Sequence, residues 1–172
     1  AGENDDLNRQ RAKVWALVAE TPWLDWLFLT KEPENILDMI PAEWAAKGCP
    51  ANVWMGVTVE DQKRADERLD HLLNVPAAVH FVSAEPLLGP VDLHMWFAGP
   101  RRDGTDNFRG LSWVIAGGES GPGARPMHPE WARSLRDQCA GAGVPFLFKQ
   151  WGNWMPEDDM DPCEAASTYE VD

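Results

Sequence analysis

The chain has 172 residues, enough for one domain with a sizeable core, and its 44% hydrophobic and 25% charged residues are ordinary for a globular protein. A formal net charge of -13 speaks against broad, non-specific binding to nucleic acid, which needs Lys and Arg to neutralise phosphates, while leaving room for a local basic site. No stretch approaches the roughly 18 consecutive apolar residues of a membrane span, the acidic start Ala1-Gly2-Glu3-Asn4-Asp5-Asp6 has no signal-peptide pattern, and an odd, sparse set of cysteines (Cys49, Cys139, Cys163) points to free thiols in a reducing, cytoplasmic compartment.

In chain order, Leu7 to Glu20 reads as a helix with Leu7, Val14, Leu17 and Val18 on one face, stopped by Thr21-Pro22. A first apolar run, Trp23 to Leu29, ends in Thr30-Lys31. Pro33 sits well in the first turn of a second helix running to about Lys47, with Gly48 beyond its end. A second run, Val53 to Val57, ends in Thr58-Val59-Glu60-Asp61 and leads into a helix from Asp61 to Leu73 with Ala65, Leu69, Leu72 and Leu73 as its stripe. The third run, Val79 to Val82, ends in Ser83-Ala84-Glu85-Pro86, and His80 within it reads as a core histidine. Pro90 to Phe97 suggests a short helix, and Ala98 to Asn107 a polar, mobile, Gly/Pro-rich loop. The fourth run, Trp113 to Ala116, ends in Gly117-Gly118-Glu119-Ser120-Gly121. His128 reads as the cap of a helix with Trp131, Leu135, Cys139 and Ala142 inward, ended by Gly141 and Gly143. The fifth run, Val144 to Phe148, ends in Lys149-Gln150-Trp151-Gly152. Residues 1–155 form one α/β domain in this reading, and the acidic tail 156–172 is loosely ordered.

The five runs are one pattern repeated. Their terminal charges, Lys31, Glu60, Glu85, Glu119 and Lys149, recur about every 30 residues, the length of one βαβ unit. The runs are apolar rather than alternating, the mark of a parallel sheet covered by helices. The expected fold is therefore α/β, with about five parallel strands and flanking helices. Five strands cannot close the usual eight-stranded barrel, so the sheet is open or part of a larger TIM-like barrel. Either way, all five ends gather on one carboxyl-terminal rim, where such folds place ligands. The first strand, Trp23 to Leu29, would lie at an edge that self-association can cover.

That rim holds the candidate functional residues. Gly117 and Gly118 would let backbone amides approach a ligand, or simply serve a tight turn. Glu119 in the same turn would repel phosphate, and there is no GxxxxGK[ST] loop. Glu60, Glu85 and Glu119 could accept an ammonium group, bind a metal or divide into acid and base. For Glu60 the helix N-terminus is an equally good account. Lys31 and Lys149 need carboxylate partners or an anionic ligand, and Arg125 could grip a carboxylate or phosphate with its fork. Ser120, Gln150 and Trp151 complete the set, with Trp154 as a second candidate for a pocket wall. Of the ten tryptophans, Trp23, Trp26, Trp54, Trp113 and Trp131 read as core. No zinc or iron–sulfur spacing and no Ser-His-Asp arrangement is present in the motifs.

In these motifs the chain resembles a family of uncharacterised bacteriophage proteins, also found in bacterial genomes and related to radical S-adenosylmethionine enzymes. The matching residues are Leu24-Asp25-Trp26-Leu27-Phe28-Leu29-Thr30-Lys31, Asn52 to Glu60, Ser83-Ala84-Glu85-Pro86-Leu87-Leu88-Gly89, Trp113 to Gly121, Arg125-Pro126 and Phe148-Lys149-Gln150-Trp151-Gly152. The resemblance covers about Leu7 to Trp154. Family members usually begin with a cysteine cluster segment that would hold a [4Fe-4S] cluster, so this chain resembles the carboxyl-terminal part, with no cofactor of its own. Glu32 stands where the family tends to have Arg. The resemblance implies a pocket-forming part of a radical S-adenosylmethionine-like enzyme acting on a small molecule, with a rim carboxylate on the ammonium of S-adenosylmethionine. A phage setting would admit a nucleic-acid base or modified nucleotide as substrate, which the charge does not support. The residues alone also admit a metal-dependent or acid–base enzyme using the three glutamates, and a non-catalytic phage or host interaction domain.

Overall fold

The computed structural model describes residues 2–97 and 110–156. Five strands, β1 (Trp26–Thr30), β2 (Val53–Thr58), β3 (Val79–Ala84), β4 (Trp113–Gly117) and β5 (Phe146–Gln150), form one open sheet in the order β1-β2-β3-β4-β5. Every neighbouring pair is parallel. The flanking helices are α1 (Gly2–Glu20), α2 (Ile36–Met39), α3 (Ala42–Lys47), α4 (Gln62–Leu73) and α5 (Pro129–Ala142). No helix among the described residues is long and apolar enough to cross a membrane.

Each strand is followed in space by its successor in sequence. With right-handed crossovers, that order sends every connection over the same face of the sheet. The covered face buries Val53, Met55, Val57, Val82, Val114 and Ala116 at 0–2% exposure. On the opposite face Leu27, Leu29 and Leu147 remain 45%, 52% and 45% exposed at the two edges. The middle of that face is aromatic: Trp113 packs against Phe81 (ring centroids 5.9 Å) and edge-on against Trp54 (6.1 Å). The Phe81 ring lies over Gly56, its register partner on β2, filling the space a side chain there would need.

The caps follow the sequence signals. The Asp61 carboxylate accepts from the Arg64 amide (2.9 Å) and starts α4. The His128 Nδ1 accepts from the Glu130 amide (3.2 Å) and Pro129 occupies the first turn of α5. Gly143, at φ +69°, ends α5 in the left-handed conformation. The buried Gln138 side chain of α5 holds the β3–β4 connection, donating to the Val91 carbonyl (2.9 Å) and accepting from the Leu93 amide (2.7 Å). His80 is buried as expected, its Nε2 2.8 Å from the Val75 carbonyl oxygen.

The structure differs from the sequence-based expectations in six places. The helix predicted from Pro33 to Lys47 is a 3-10 turn (Pro33–Asn35), α2 and α3, because Ile40 precedes Pro41 and is driven to an extended conformation (ψ 160°). On α1, Leu7, Val14 and Leu17 are exposed and only Val18 of the predicted face is buried; Trp15 makes the core contacts, edge-on to Phe28 and Trp44. The first strand starts at Trp26, leaving Trp23 outside the sheet and exposed. Strands β1 and β5 alternate in burial, since edge strands of a sheet covered on one face leave the other face open. Ala142 is exposed, and Ala132 and Gln138 take the inward positions instead. The short helix expected over Pro90 to Phe97 is a 3-10 turn at His94–Trp96. The loop Ala98 to Asn107, Cys163 and the tail beyond Pro156 lie outside the described residues.

Candidate functional site

Because all five strands run the same way, their carboxyl ends form one rim, and three ion-paired carboxylates stand on it. Glu60, just past β2, accepts from Lys31 past β1 (2.8 Å) and from Arg68 on α4 (2.7 Å), and Arg68 also donates to the Thr58 carbonyl (2.7 Å). Glu85, just past β3, pairs with Lys149 of β5 (3.3 Å) and accepts from the Ser83 hydroxyl (3.2 Å). Glu119, past β4, takes both arms of the Arg125 fork at 2.8 Å and the Arg125 amide at 2.8 Å. Against Lys31, Lys149 and Arg125 the carboxylate is the inner partner, while Arg68 is as buried as Glu60. Glu60, Glu85 and Glu119 are 13%, 18% and 24% exposed against 60%, 58% and 60% for Lys31, Lys149 and Arg125.

The Glu85–Lys149 pair spans a strand. Lys149 belongs to β5 and Glu85 follows β3, with β4 between them. A register irregularity at Ala116/Gly117 pairs Gly117 with Gln150 and skips Lys149. Such bulges re-aim a side chain. Gly117 completes the passage: a Cβ there would sit 2.5 Å from the Glu85 Oε1.

Gly118 serves its own chain in the same way. A Cβ on it would meet the Trp151 carbonyl oxygen at 1.8 Å, and one on Gly152 would meet the Glu119 carbonyl oxygen at 2.1 Å. The two backbones are tied by Gly118 amide to Gln150 carbonyl (2.9 Å) and Asn153 amide to Glu119 carbonyl (3.0 Å). Gln150 donates to the Ser120 hydroxyl (3.1 Å), and the Trp154 indole donates to the Ala124 carbonyl (2.7 Å). The glycine turn is thus clamped by the segment after β5, and the space at Gly117 and Gly118 is filled by this chain. Trp151 packs on Phe148 (4.7 Å) and lines a cavity of about 250 Å³ between α5 and β5.

Arg68 carries no motif, but the sequence does hold a signal for it. It lies three residues after Ala65 and four before Leu72, on the flank of the buried stripe of α4, where a charge needs a partner.

Charge partners set the acidity of the rim. Burial pushes the Glu60 carboxyl up, but the Lys31 hydrogen bond, its own amide and the Arg68 and Lys31 charges outweigh it and hold it below the ordinary value. The Arg125 side-chain and backbone hydrogen bonds bring Glu119 from 4.5 down to about 2. A depressed carboxyl favours the folded state above its unfolded value, and that contribution is lost as pH falls from 4.5 toward 2. Side-chain carboxyl NMR is expected to place the Glu119 midpoint near 2, and Arg125→Met is expected to return it toward 4.5; a midpoint unmoved by Arg125→Met would show that the fork does not set it.

The rim carboxylates do not converge into a metal site: among the described residues no group of three or more His, Cys, Asp or Glu could hold an ion. The described cysteines do not fit an iron–sulfur cluster either. Cys49 precedes β2 at the opposite end of the sheet, and Cys139 is buried in α5 with its thiol pushed up to about 11 by burial. The rim does offer carboxylates beside cations, a donor set that suits a ligand carrying both an ammonium and a carboxylate.

Fold and site together define an α/β protein wound in one direction, with an ion-paired rim at the carboxyl ends of its strands. The chain belongs to the family described as "Protein of unknown function (DUF5131)", whose model matches residues 4–170. No curated protein and no solved structure matches it.

Proposed function

We propose that the rim binds a small molecule bearing an amino-acid group, with S-adenosylmethionine as the first candidate. In this reading the chain is the pocket-lining part of a barrel-type enzyme related to radical S-adenosylmethionine proteins. The observation that carries it is the unequal saturation of the three glutamates. Both oxygens of Glu60 are held by cations, and those of Glu119 by three donors from Arg125. Glu85 has one ammonium at 3.3 Å and one hydroxyl at 3.2 Å, which leaves most of its accepting capacity to a ligand. An incoming ammonium on Glu85 would release Lys149 toward the ligand's carboxylate, so one exchange serves both ends of the ligand. S-adenosylmethionine would bring a sulfonium-activated alkyl group to this rim; what this chain's residues do is bind and orient its amino-acid end.

Calorimetric titration of S-adenosylmethionine tests the assignment. Saturable binding is expected, weakened roughly tenfold to a hundredfold by Glu85→Gln or Lys149→Gln, the range for one charge-assisted hydrogen bond. Absence of binding at millimolar ligand, or an affinity unchanged from the unsubstituted protein in both variants, would remove the reading.

A further inference from the structure

A second cavity lies beside the β1 end of the rim, on the helix-covered face, and none of Glu60, Glu85 and Glu119 lines it. Between α1, β1 and α2 lies a half-open cavity of about 280 Å³. This is just under the roughly 300–1,000 Å³ of ordinary small-molecule sites, so its occupant is smaller than a drug-sized ligand. Its walls are Trp15, Phe28, Met39, Met55 and Ile40, with Arg11, Thr30 and Glu32 as its polar lining. The walls are well fixed. The Trp15 indole donates to the Met39 carbonyl (3.1 Å), and its ring meets Phe28 edge-on at 5.1 Å.

Arg11 is what gives the cavity a chemistry. Arg64, Arg68, Arg125 and Arg136 each pair with a carboxylate. Half-buried Arg11 does not: among the described residues its one hydrogen-bond partner is the neutral Asn8 side chain (3.0 Å). A guanidinium beside an apolar cavity and without an ion pair suits a carboxylate, which it can grip with two parallel N–H groups. Glu32 contributes a negative charge to the same lining and accepts from Asn35 (3.2 Å). Its repulsion weakens an anionic head group without removing the Arg11 attraction, and it makes a distinct prediction of its own.

We propose that this cavity binds a medium-chain carboxylic acid, with its carboxylate on Arg11 and its apolar body against Trp15, Phe28, Met39 and Met55. Decanoate, decanol and decylamine, each below its micelle-forming concentration, are the probes. The readouts are calorimetry and the methyl NMR signals of Met39 and Met55. Decanoate is expected to bind saturably and to shift both methyls. Arg11→Gln is expected to weaken decanoate at least tenfold while leaving decanol within twofold, and Glu32→Gln to strengthen decanoate. Val14→Phe, at the exposed α1 side of the lining, is expected to weaken both ligands with an unchanged melting temperature. The proposal is overturned if decanoate does not saturate or leaves both methyls unmoved, if Arg11→Gln leaves its affinity within twofold, or if decylamine binds as tightly as decanoate, which would mark surfactant adhesion only.

Discussion

Gly118→Ala is expected to destabilise the fold by about 3 kcal/mol, the upper end of overpacking effects, and to lower the melting midpoint by roughly 6–12 °C for a domain of this size. The added methyl would lie 1.8 Å from the Trp151 carbonyl oxygen, and that obstacle is backbone rather than a side chain that can rotate away. Relief requires the whole Trp151-Gly152-Asn153 segment to retreat. The Gly118–Gln150 and Asn153–Glu119 backbone hydrogen bonds would go with it. Urea and thermal unfolding measure the loss; a change within 0.5 kcal/mol, the range of ordinary surface substitutions, would mean the two segments are not locked together. The same variant is expected to loosen Asn153 from Gly121, where it now accepts from the amide (3.2 Å) and donates to the carbonyl (3.0 Å).

The second large effect is expected at Gly56. A Cβ there would fall 2.3 Å from the Phe81 ring. The ring is held by Trp113, itself packed on Trp54, so it cannot swing aside freely. Gly56→Ala is expected to destabilise by about 2 kcal/mol, within the usual range for a forced methyl in a packed site. A double-mutant cycle separates the clash from any general intolerance of the strand. Combined with Phe81→Leu, which removes the obstructing ring atoms, Gly56→Ala should be much less damaging than alone. Strict additivity of the two changes would refute the collision as the cause.

The repeated strand pattern was legible because parallel strands must be apolar enough to sit under helices, and because each run ends in charged or polar residues. That one periodicity gave the sheet, its direction and the rim with Lys31, Glu60, Glu85, Glu119 and Lys149. The pairing partners were half-legible. Lys31 and Lys149 had to find counter-charges, but which glutamate each would meet depends on a bulge at Gly117 and on how far β5 reaches over β4, neither of which is a local property. The glycines misled for a related reason. Gly117 and Gly118 do mark close approach, yet the atoms that approach are the Glu85 carboxylate and the Trp151 carbonyl, brought from positions distant in the chain. Helix α1 shows the limit of periodicity: Leu7, Val14 and Leu17 share a face, but it is Trp15 and Val18 that the helix packs against the body. Arg11 was invisible to pattern, since its distinction is the lack of an ion pair among the described residues.

The strand order has a kinetic meaning. In a sheet whose neighbours in space are neighbours in sequence, each ladder closes over one crossover and no more. The entropy of ring closure is then met in several small steps of similar size rather than in one long one. A sheet that reverses direction at its middle must instead hold an early strand ready for a late partner. This chain never does so: β1 finds β2, β2 finds β3, and the last strand completes a ladder that the previous four do not need. Its topology is a file rather than a ring, in which no ladder waits on more than one crossover.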